Sequence, residues 1–290
     1  MSDRTSNRIF DIVNVSFITL FVIFCLAPFL HTIAISLSSN RAITSGEVTI
    51  FPKEFNWDAY GQVFSDHSMI YSLGFTTVLT IATTALCMLF TIAAAYPLTK
   101  KKLKGRKMFM YVIIITMFFS GGIIPEYLLI RDLHLLNSVW ALILPGLVSP
   151  FNLIILISFF RGIPESLEES AEIDGSSHVH TLFKIILPLS MPVIATLSLF
   201  YAVGRWNGFQ DSLMYITDPK LYPLQLKLYQ MVQNNMVSEL TLMEGANRTR
   251  LTPESLKAAT VVFATVPILL VYPWLQKYFV SGAMLGAVKG

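Results

Sequence analysis

Charged side chains are scarce in this sequence. They make up 13% of its 290 residues, whereas about a quarter of the residues of a soluble domain are charged. Uncharged runs take up most of the chain, at 12–40, 67–99, 108–125, 133–160, 185–204 and 258–276. A helix needs roughly 20 apolar residues to cross the ~30 Å of hydrocarbon in a bilayer, and these runs are too long to be the strands of a membrane barrel. The sequence therefore predicts an all-α, polytopic membrane protein with six transmembrane helices.

Cysteine is nearly absent, and the common catalytic motifs are missing. The two cysteines, Cys25 and Cys87, lie inside apolar runs, which excludes a disulfide framework and a cysteine-based metal site and predicts that both pack as small side chains. The sequence contains neither G-x-S-x-G nor H-E-x-x-H, so we expect no catalytic residue, no metal site and no enzyme activity in this chain. It also lacks the phosphate-binding loop G-x-x-x-x-G-K-[ST], so ATP hydrolysis by that route would need a separate subunit.

The positive charges cluster in one short loop between the second and third runs, at Lys100, Lys101, Lys102, Lys104, Arg106 and Lys107. Short loops rich in lysine and arginine lie on the cytoplasmic side of a membrane, so alternate counting places both termini and the 161–184 loop in the cytoplasm. Apolar runs flank the cluster closely, which argues against a nucleic-acid site. The N-terminal run is far longer than the ~7–15 apolar residues of a signal peptide, so we expect it to be retained as the first helix.

A polar and acidic stretch at 164–188 interrupts the apolar runs. Pro164 suits a first helical turn, and the glutamates that follow favour the positive end of a helix dipole. Gly175 can end that helix in a left-handed conformation, and Ser176 or Ser177 can cap a second helix that continues into the next span. The pattern predicts a helix, a sharp glycine turn and a second helix fused to the membrane domain, although composition alone would favour an acidic surface loop.

The order of residues in this stretch is more specific than its composition. It contains E-S-A-x-x-D-G-S at 169–176, then a phenylalanine and then Leu-Pro. This order resembles the E-A-A loop of binding-protein-dependent ABC importer permeases, with two small serines where the family has alanines. The resemblance implies a type I ABC importer permease fold and a separate ATPase that docks on this stretch. We assign that contact to Glu165, Glu168, Glu169, Ala171, Asp174, Gly175, Phe183 and Pro188.

The resemblance extends over nearly the whole chain. F-N-W-D-A-Y at 55–60, W-N at 206–207 and G-A-V-K-G at 286–290 are similar to the maltose-permease type of carbohydrate permease, and F-S-G-G-I-I-P at 119–125 is similar to a branch that handles alginate and other polysaccharide fragments. It implies a permease that passes oligosaccharides from an extracytoplasmic solute-binding protein to the cytoplasm by alternating access. The implied partners are a second, homologous permease subunit, two ATPase subunits that hold ATP and Mg, and the lipid of a bacterial cytoplasmic (inner) membrane. This chain itself is expected to hold no cofactor.

Glycine and proline break the third and fourth apolar runs, at 121–125 and 145–150. Broken helices at membrane depth face either protein or a water-filled cavity, so a substrate path beside these runs and ordinary packing kinks are both compatible with the sequence. We expect the path to be lined by Asn152, Tyr201, Trp206 and Asn207.

By the resemblance to maltose-type permeases, the outer segment 207–257 contacts the solute-binding protein through Glu244, Gly245, Ala246 and Asn247, although a solvated loop would have the same composition.

These observations predict three regions: 1–68, a transmembrane helix and external loop; 69–281, a core of five transmembrane helices with coupling helices at 164–187; and 282–290, a cytoplasmic tail.

The main alternative function is an ion-coupled secondary transporter. Such proteins often bury Asp, Glu or His within the membrane, and the interiors of these apolar runs contain no acid. Sodium sites built from backbone carbonyls stay compatible with the sequence, and a membrane enzyme is the least favoured alternative.

Overall fold

The structure is a computed structural model that describes residues 2–242 and 252–287. All regular elements in these ranges are helical, which confirms the predicted all-α class. The α-helices are α1 Ser2–Ser36, α2 Asn40–Thr44, α3 Asp58–Ser65, α4 His67–Thr99, α5 Arg106–Phe118, α6 Ile123–Asp132, α7 Val139–Ile143, α8 Pro150–Arg161, α9 Glu165–Ile173, α10 His178–Thr181, α11 Leu187–Leu189, α12 Met191–Asn207, α13 Gln210–Tyr215, α14 Leu224–Leu242 and α15 Pro253–Ala287. A π-helical turn at Leu182–Ile186 joins α10 to α11, and a 3₁₀ turn at Pro219–Leu221 precedes α14.

Three helical segments are long and apolar enough to cross a membrane: Phe10–Ser36, His67–Thr99 and Pro253–Val271. Two bent pairs qualify when each pair is taken as one span: α5 with α6, bent by 116°, and α10–α11 with α12, bent by 83°. The described residues therefore contain three to five candidate spans. The predicted fourth span, 139–160, is divided into α7 and the 12-residue α8, so the count of six stays a prediction.

Glycine and proline break these helices where the sequence predicts. Gly122 has a φ of +90° and separates α5 from α6, because glycine adopts positive φ at little cost. After α7 a Pro-Gly pair interrupts the helix, and α8 begins at Pro150, where the Ser149 hydroxyl accepts a hydrogen bond from the Asn152 N–H at 3.4 Å. Non-helical backbone is therefore present inside the apolar part of the chain.

Residues 1–70 and 227–266 form one compact unit. Within it α1 presents its apolar side chains outward, since residues 10–26 are all exposed, Cys25 among them. The prediction that Cys25 packs as a small side chain is therefore wrong within this chain. The segment after α1 is held by polar contacts: the Asn40 side-chain oxygen accepts hydrogen bonds from the N–H and the hydroxyl of Thr252, at 3.0 and 3.1 Å.

Residues 71–226 and 267–290 form a second unit. Its core lies among α4, α8 and α12, where Cys87, Leu156 and Leu197 are completely buried. Cys87 thus packs as predicted, and the small and hydroxyl residues on one face of α4 allow the close approach of neighbouring helices. The three-region division with boundaries after residues 68 and 281 stays a prediction.

A buried hydroxyl of α4 completes the start of α14. The Thr76 hydroxyl donates to the Ser72 carbonyl at 2.7 Å and accepts from the Leu224 N–H at 2.7 Å, and both Thr76 and Leu224 are buried. The first N–H groups of a helix have no partner inside that helix. Thr76 therefore supplies the acceptor that the Leu224 N–H needs away from water.

Thr76→Val keeps the shape of the side chain and leaves the buried Leu224 N–H without an acceptor. An unsatisfied buried donor costs about 1–3 kcal/mol, so we expect a lower unfolding midpoint for the detergent-solubilised protein, measured as loss of monodisperse protein in gel filtration after heating. Thr77→Val is the matched control, since Thr77 is exposed and its hydroxyl bonds within its own helix, to the Leu73 carbonyl at 2.8 Å. Equal midpoints for the two variants would contradict the assignment.

Candidate functional site

The polar stretch folds as the helix, turn and helix that its sequence predicts. α9 ends at Ile173 with Asp174 as its C-cap, and Gly175 follows with a φ of +77°. The Ser176 N–H donates to the Ala171 carbonyl at 2.9 Å, and the Gly175 N–H donates to the Glu172 carbonyl at 3.1 Å. This is the hydrogen-bond pattern of a Schellman turn, and its left-handed glycine fixes the sharp reversal between α9 and α10.

The residues that start and join these helices differ in detail from the prediction. Of the two candidate serines, Ser177 is the cap, since its hydroxyl accepts from the His180 N–H at 3.3 Å. Pro164 precedes α9 as its N-cap instead of standing in its first turn, because its backbone is extended, with a ψ of 128°. After α10 the chain passes through the π-turn at Leu182–Ile186 into α11, where Pro188 has no N–H to donate to an α-helical ladder. The chain then bends into α12.

Two of the glutamates assigned to ATPase docking are engaged within the chain. Glu168 pairs with Lys100, and Glu165 pairs with Lys101, whose Nζ lies 2.8 Å from the carboxylate. The Lys100 ammonium also lies 4.2 Å from the centre of the Tyr96 ring. Burial is the largest single influence on the pKa of Lys100 and lowers it, but Glu168 and Tyr96 together outweigh burial, so the pKa is raised. The hydrogen bond and the charge of Lys101 lower the pKa of Glu165. These ion pairs attach α9 to the lysine-rich loop after α4.

The other residues assigned to docking are split between buried and exposed positions. Ala171 is buried, whereas the remaining positions are exposed: Glu169, Asp174, Gly175, Phe183 and Pro188. Two further apolar side chains beside the turn are exposed, Ile173 by 86% and Val179 by 65%. Neither residue was among the docking positions predicted from the sequence, although an apolar residue in so polar a stretch indicates a partner surface. Ile173, Val179 and Phe183 are called the apolar turn residues below.

A cavity of about 1330 Å³ lies where the broken helices of the second unit meet. Three of the four predicted path residues line it, Asn152, Tyr201 and Asn207, together with Gln210, which the sequence analysis did not select. Trp206 is buried and is not part of the cavity wall. The breaks in the third and fourth apolar runs thus do accompany an open space, as one of the two sequence interpretations expects.

Tyr201 holds the wall of this cavity together. Its hydroxyl lies 2.8 Å from the Thr91 hydroxyl of α4 and accepts a hydrogen bond from the Ser149 N–H at 3.0 Å. Its side chain is buried, so a single phenol joins α12 to α4 and to the break before α8. Because both contacts are made within the protein, Tyr201 acts chiefly as part of the cavity framework.

A charged pair that sequence analysis missed lies at the end of α12. Arg205 is buried and binds the Asp211 carboxylate with two nitrogens, one of them at 3.0 Å. It also donates to the Leu142 carbonyl at 2.9 Å and to the Gly208 carbonyl at 3.1 Å. The guanidinium thereby fixes the turn after Asn207 against α7. The sequence did contain a signal for this pair, because Arg205 lies in the last turn of an apolar helix. A charge at such a position is costly unless it has partners.

The walls of the cavity offer hydrogen-bonding groups rather than excess positive charge. Its described lining contains two carboxylates, Glu126 and Asp211, and one guanidinium, that of Arg205. Burial, and then the charge of Glu126, raises the pKa of Tyr215 on the same wall to about 12. The Tyr215 phenol is therefore neutral at physiological pH, and the amides of Asn207 and its neighbours are suited to hydroxyl groups of a ligand.

Some predicted positions fall outside the described residues. These are the four assigned to the binding-protein contact, Glu244, Gly245, Ala246 and Asn247, and residues 288–290 of the tail. Within the described part of the chain, no group of three or more His, Cys, Asp or Glu side chains is arranged to hold a metal ion.

Known proteins resemble this chain along its whole length. Residues 88–283 match the family described as binding-protein-dependent transport system inner membrane component. Protein LplC of Bacillus subtilis (strain 168) is 44% identical over 292 residues, which cover 100% of this chain and 98% of that protein. The polygalacturonan/rhamnogalacturonan transport system permease protein YtcP of the same organism is 42% identical over 284 residues, which cover 98% of this chain and 99% of that protein.

A solved structure shares the fold. One chain of a bacterial ABC transporter involved in the import of the acidic polysaccharide alginate is 32% identical and superposes with a TM-score of 0.85, over 94% of this chain and 98% of that chain. This agreement confirms a membrane-embedded permease of the type I ABC importer fold, a transport subunit and not an enzyme. The chain therefore belongs to the family of binding-protein-dependent transport system inner membrane components, the permease subunits of ABC importers.

Proposed function

We propose that the chain is one of two permease subunits of an importer of oligosaccharides or polysaccharide fragments, with acidic, uronate-containing fragments as its substrate class. The names of YtcP and of the solved alginate transporter, both of which concern acidic polysaccharides, support the substrate class. The geometric support is the continuous path from the apolar turn residues through α10 and the π-turn into α12, whose end lines the large cavity. Because the chain belongs to the ABC importer family, the alternative function of an ion-coupled transporter is disfavoured.

The orientation follows from the placement of positive charge. Short loops rich in lysine lie in the cytoplasm, so the loop after α4 and the α9–α10 turn that is paired to it lie on the cytoplasmic side of the inner membrane. Both termini lie on the same side. The solute-binding protein then approaches from the opposite side, and the segment with Glu244 to Asn247 contacts it.

The α9–α10 turn is the coupling element. The apolar turn residues are exposed to water in the isolated chain, and a groove on an ATPase subunit would remove them from water at a gain of about 25 cal/mol per Å² of apolar surface. The Schellman turn keeps the two helices at a fixed angle, so a displacement of the ATPase is passed on to α12. ATP and Mg are held by the two ATPase subunits, and the motion reaches the cavity through Tyr201 and Arg205.

The large cavity receives the sugar. The amides of Asn152, Asn207 and Gln210 bind hydroxyl groups, while Tyr201 and Arg205 keep the wall rigid. Because the described lining has two carboxylates and one guanidinium, this chain would not balance the charge of a uronate. We therefore assign the cationic contacts to the second permease subunit or to the solute-binding protein.

Reconstitution tests this function. Proteoliposomes containing the purified complex and its binding protein should take up oligogalacturonate only when ATP and Mg are present on the side of the ATPase subunits. Uptake of neutral oligosaccharides of the same length should be weaker. Transport driven by a proton or sodium gradient, with the ATPase subunits absent, would overturn the proposal.

The turn at Gly175 provides a test of coupling. Gly175→Val forces a β-branched residue to a φ of +77°, a conformation that such residues almost never adopt, so α9 and α10 should lose their fixed angle. We expect ATP-dependent uptake to fall by about tenfold or more while membrane insertion is retained. Gly46→Val is the matched control, because Gly46 has a φ of +70° and, like Gly175, has nothing within 4 Å of an added Cβ. Similar losses in both variants would indicate a general folding defect and argue against the coupling role.

The amide of Asn207 provides a test of the sugar path. Asn207 is exposed and lines the cavity, so Asn207→Ala should leave the fold intact and remove a hydrogen bond to the ligand. Such a bond contributes about 0.5–1.5 kcal/mol, which corresponds to a roughly two- to tenfold higher KM for uptake at an unchanged maximal rate. Asn14→Ala, at an exposed position of α1, should leave both parameters unchanged. An unchanged KM for the Asn207 variant would remove this residue from the path.

A further inference from the structure

A second, smaller cavity lies beside the coupling helix. It has a volume of about 480 Å³ and lies among the end of α4, the start of α5 and the link between α8 and α9. Four cationic side chains line it, Lys100, Lys101, Arg106 and Arg161. Residues of the large cavity do not contribute to it, so it requires an explanation of its own.

The charges in this small cavity are not balanced within the described chain. Its only carboxylates, Glu165 and Glu168, are engaged by Lys101 and Lys100. Neither Arg106 nor Arg161 has a carboxylate within 4.0 Å among the described residues. Four cations therefore face two acids.

The two arginines share one electrostatic environment. Burial, and then the positive charge of Arg106, lower the pKa of Arg161, and Arg161 has a long hydrogen bond of 3.5 Å to the Leu98 carbonyl. Like charges that share a cavity repel each other, and an anion between them would turn that repulsion into attraction. A guanidinium presents a planar fork of donors that matches phosphate in a bidentate manner. Two such forks favour a phosphate group over a small monovalent anion.

The surroundings of the small cavity indicate where the phosphate comes from. Directly after Arg106, α5 presents exposed apolar side chains, with Met108 exposed by 71% and Phe109 by 55%, as expected where a helix enters lipid. The same stretch of the chain contains three further lysines, at 102, 104 and 107. Basic segments next to a span attract anionic lipids. The headgroup of a lipid beside the start of α5 would therefore reach the small cavity more readily than a solute from bulk water.

We infer that this small cavity binds the phosphate group of an anionic phospholipid headgroup, held by Arg106 and Arg161. The bound lipid would lie against the Lys100–Glu168 and Lys101–Glu165 pairs and so stabilise the attachment of α9 to the membrane domain. The inference rests on the proposed function in one respect only: the proposed orientation places the bound lipid in the cytoplasmic leaflet.

Lipid binding to the full-length protein tests the inference without any transport measurement. The chain is purified in mild detergent with the subunits that accompany it, and binding of dihexanoyl-phosphatidylglycerol is measured by equilibrium titration against dihexanoyl-phosphatidylcholine and inorganic phosphate. We expect Arg106→Gln combined with Arg161→Gln to weaken phosphatidylglycerol binding by about tenfold. Lys104→Gln combined with Lys107→Gln is the matched control, since it removes the same charge from residues that do not line the cavity. Loop lysines attract lipid through the potential of an anionic membrane surface, which a detergent solution lacks, so the affinity of this variant should stay within about twofold of the parent.

Each other result would overturn a stated part of the inference. Equal losses in the two double variants would show diffuse attraction to the basic loop and no cavity site. Inorganic phosphate that binds as tightly as phosphatidylglycerol would overturn the lipid as the source, and phosphatidylcholine that binds equally would overturn the role of charge. Monodisperse gel filtration of all variants separates these outcomes from misfolding. Because no sugar or nucleotide is present, failure here leaves the carbohydrate proposal untouched.

Discussion

Hydrocarbon offers no hydrogen-bond partner, so every backbone N–H and C=O in a membrane segment has to be satisfied within the protein. A regular helix meets this condition alone, whereas a broken helix needs groups from elsewhere. Here side chains of α12 complete the broken fourth run: the Tyr201 hydroxyl accepts from the Ser149 N–H, and Arg205 donates to the Leu142 carbonyl. The groups that make the break tolerable are therefore the groups that fix the wall of the large cavity.

This arrangement separates the framework of the cavity from the groups left for a ligand. Tyr201 and Arg205 are buried and engaged, while Asn207 is exposed on the same wall. The Thr91–Tyr201 contact joins α4 to α12, so these helices and the break before α8 can move as one body. Alternating access by rigid-body rocking needs such a body around the substrate site, and in the proposed mechanism the α9–α10 turn is the point where motion enters it.

The attachment of α9 is weak enough to change during a cycle. Exposed ion pairs are screened by solvent and contribute little to stability, and Lys101 and Glu165 are largely exposed, with 76% and 66% of their side chains accessible. The Lys100–Glu168 pair is more sheltered, at 27% and 28%, and the Tyr96 ring adds a cation–π contact. An ATPase that engages α9 competes with contacts of modest strength, and an anionic lipid beside the same pairs would shift that balance.

The amino-acid sequence by itself determined the helical class, the breaks at Gly122 and before Pro150, and the turn at Gly175, because hydropathy and the backbone preferences of glycine and proline act locally. It also selected Asn152 and Asn207, which line one cavity, because their amides can hydrogen-bond to the hydroxyl groups of a sugar. Only the tertiary structure decided that Lys100 is the partner of Glu168, 68 positions away, and that Thr91 meets Tyr201, 110 positions away. Such contacts depend on how whole helices pack, and no local pattern encodes which of many polar side chains will meet.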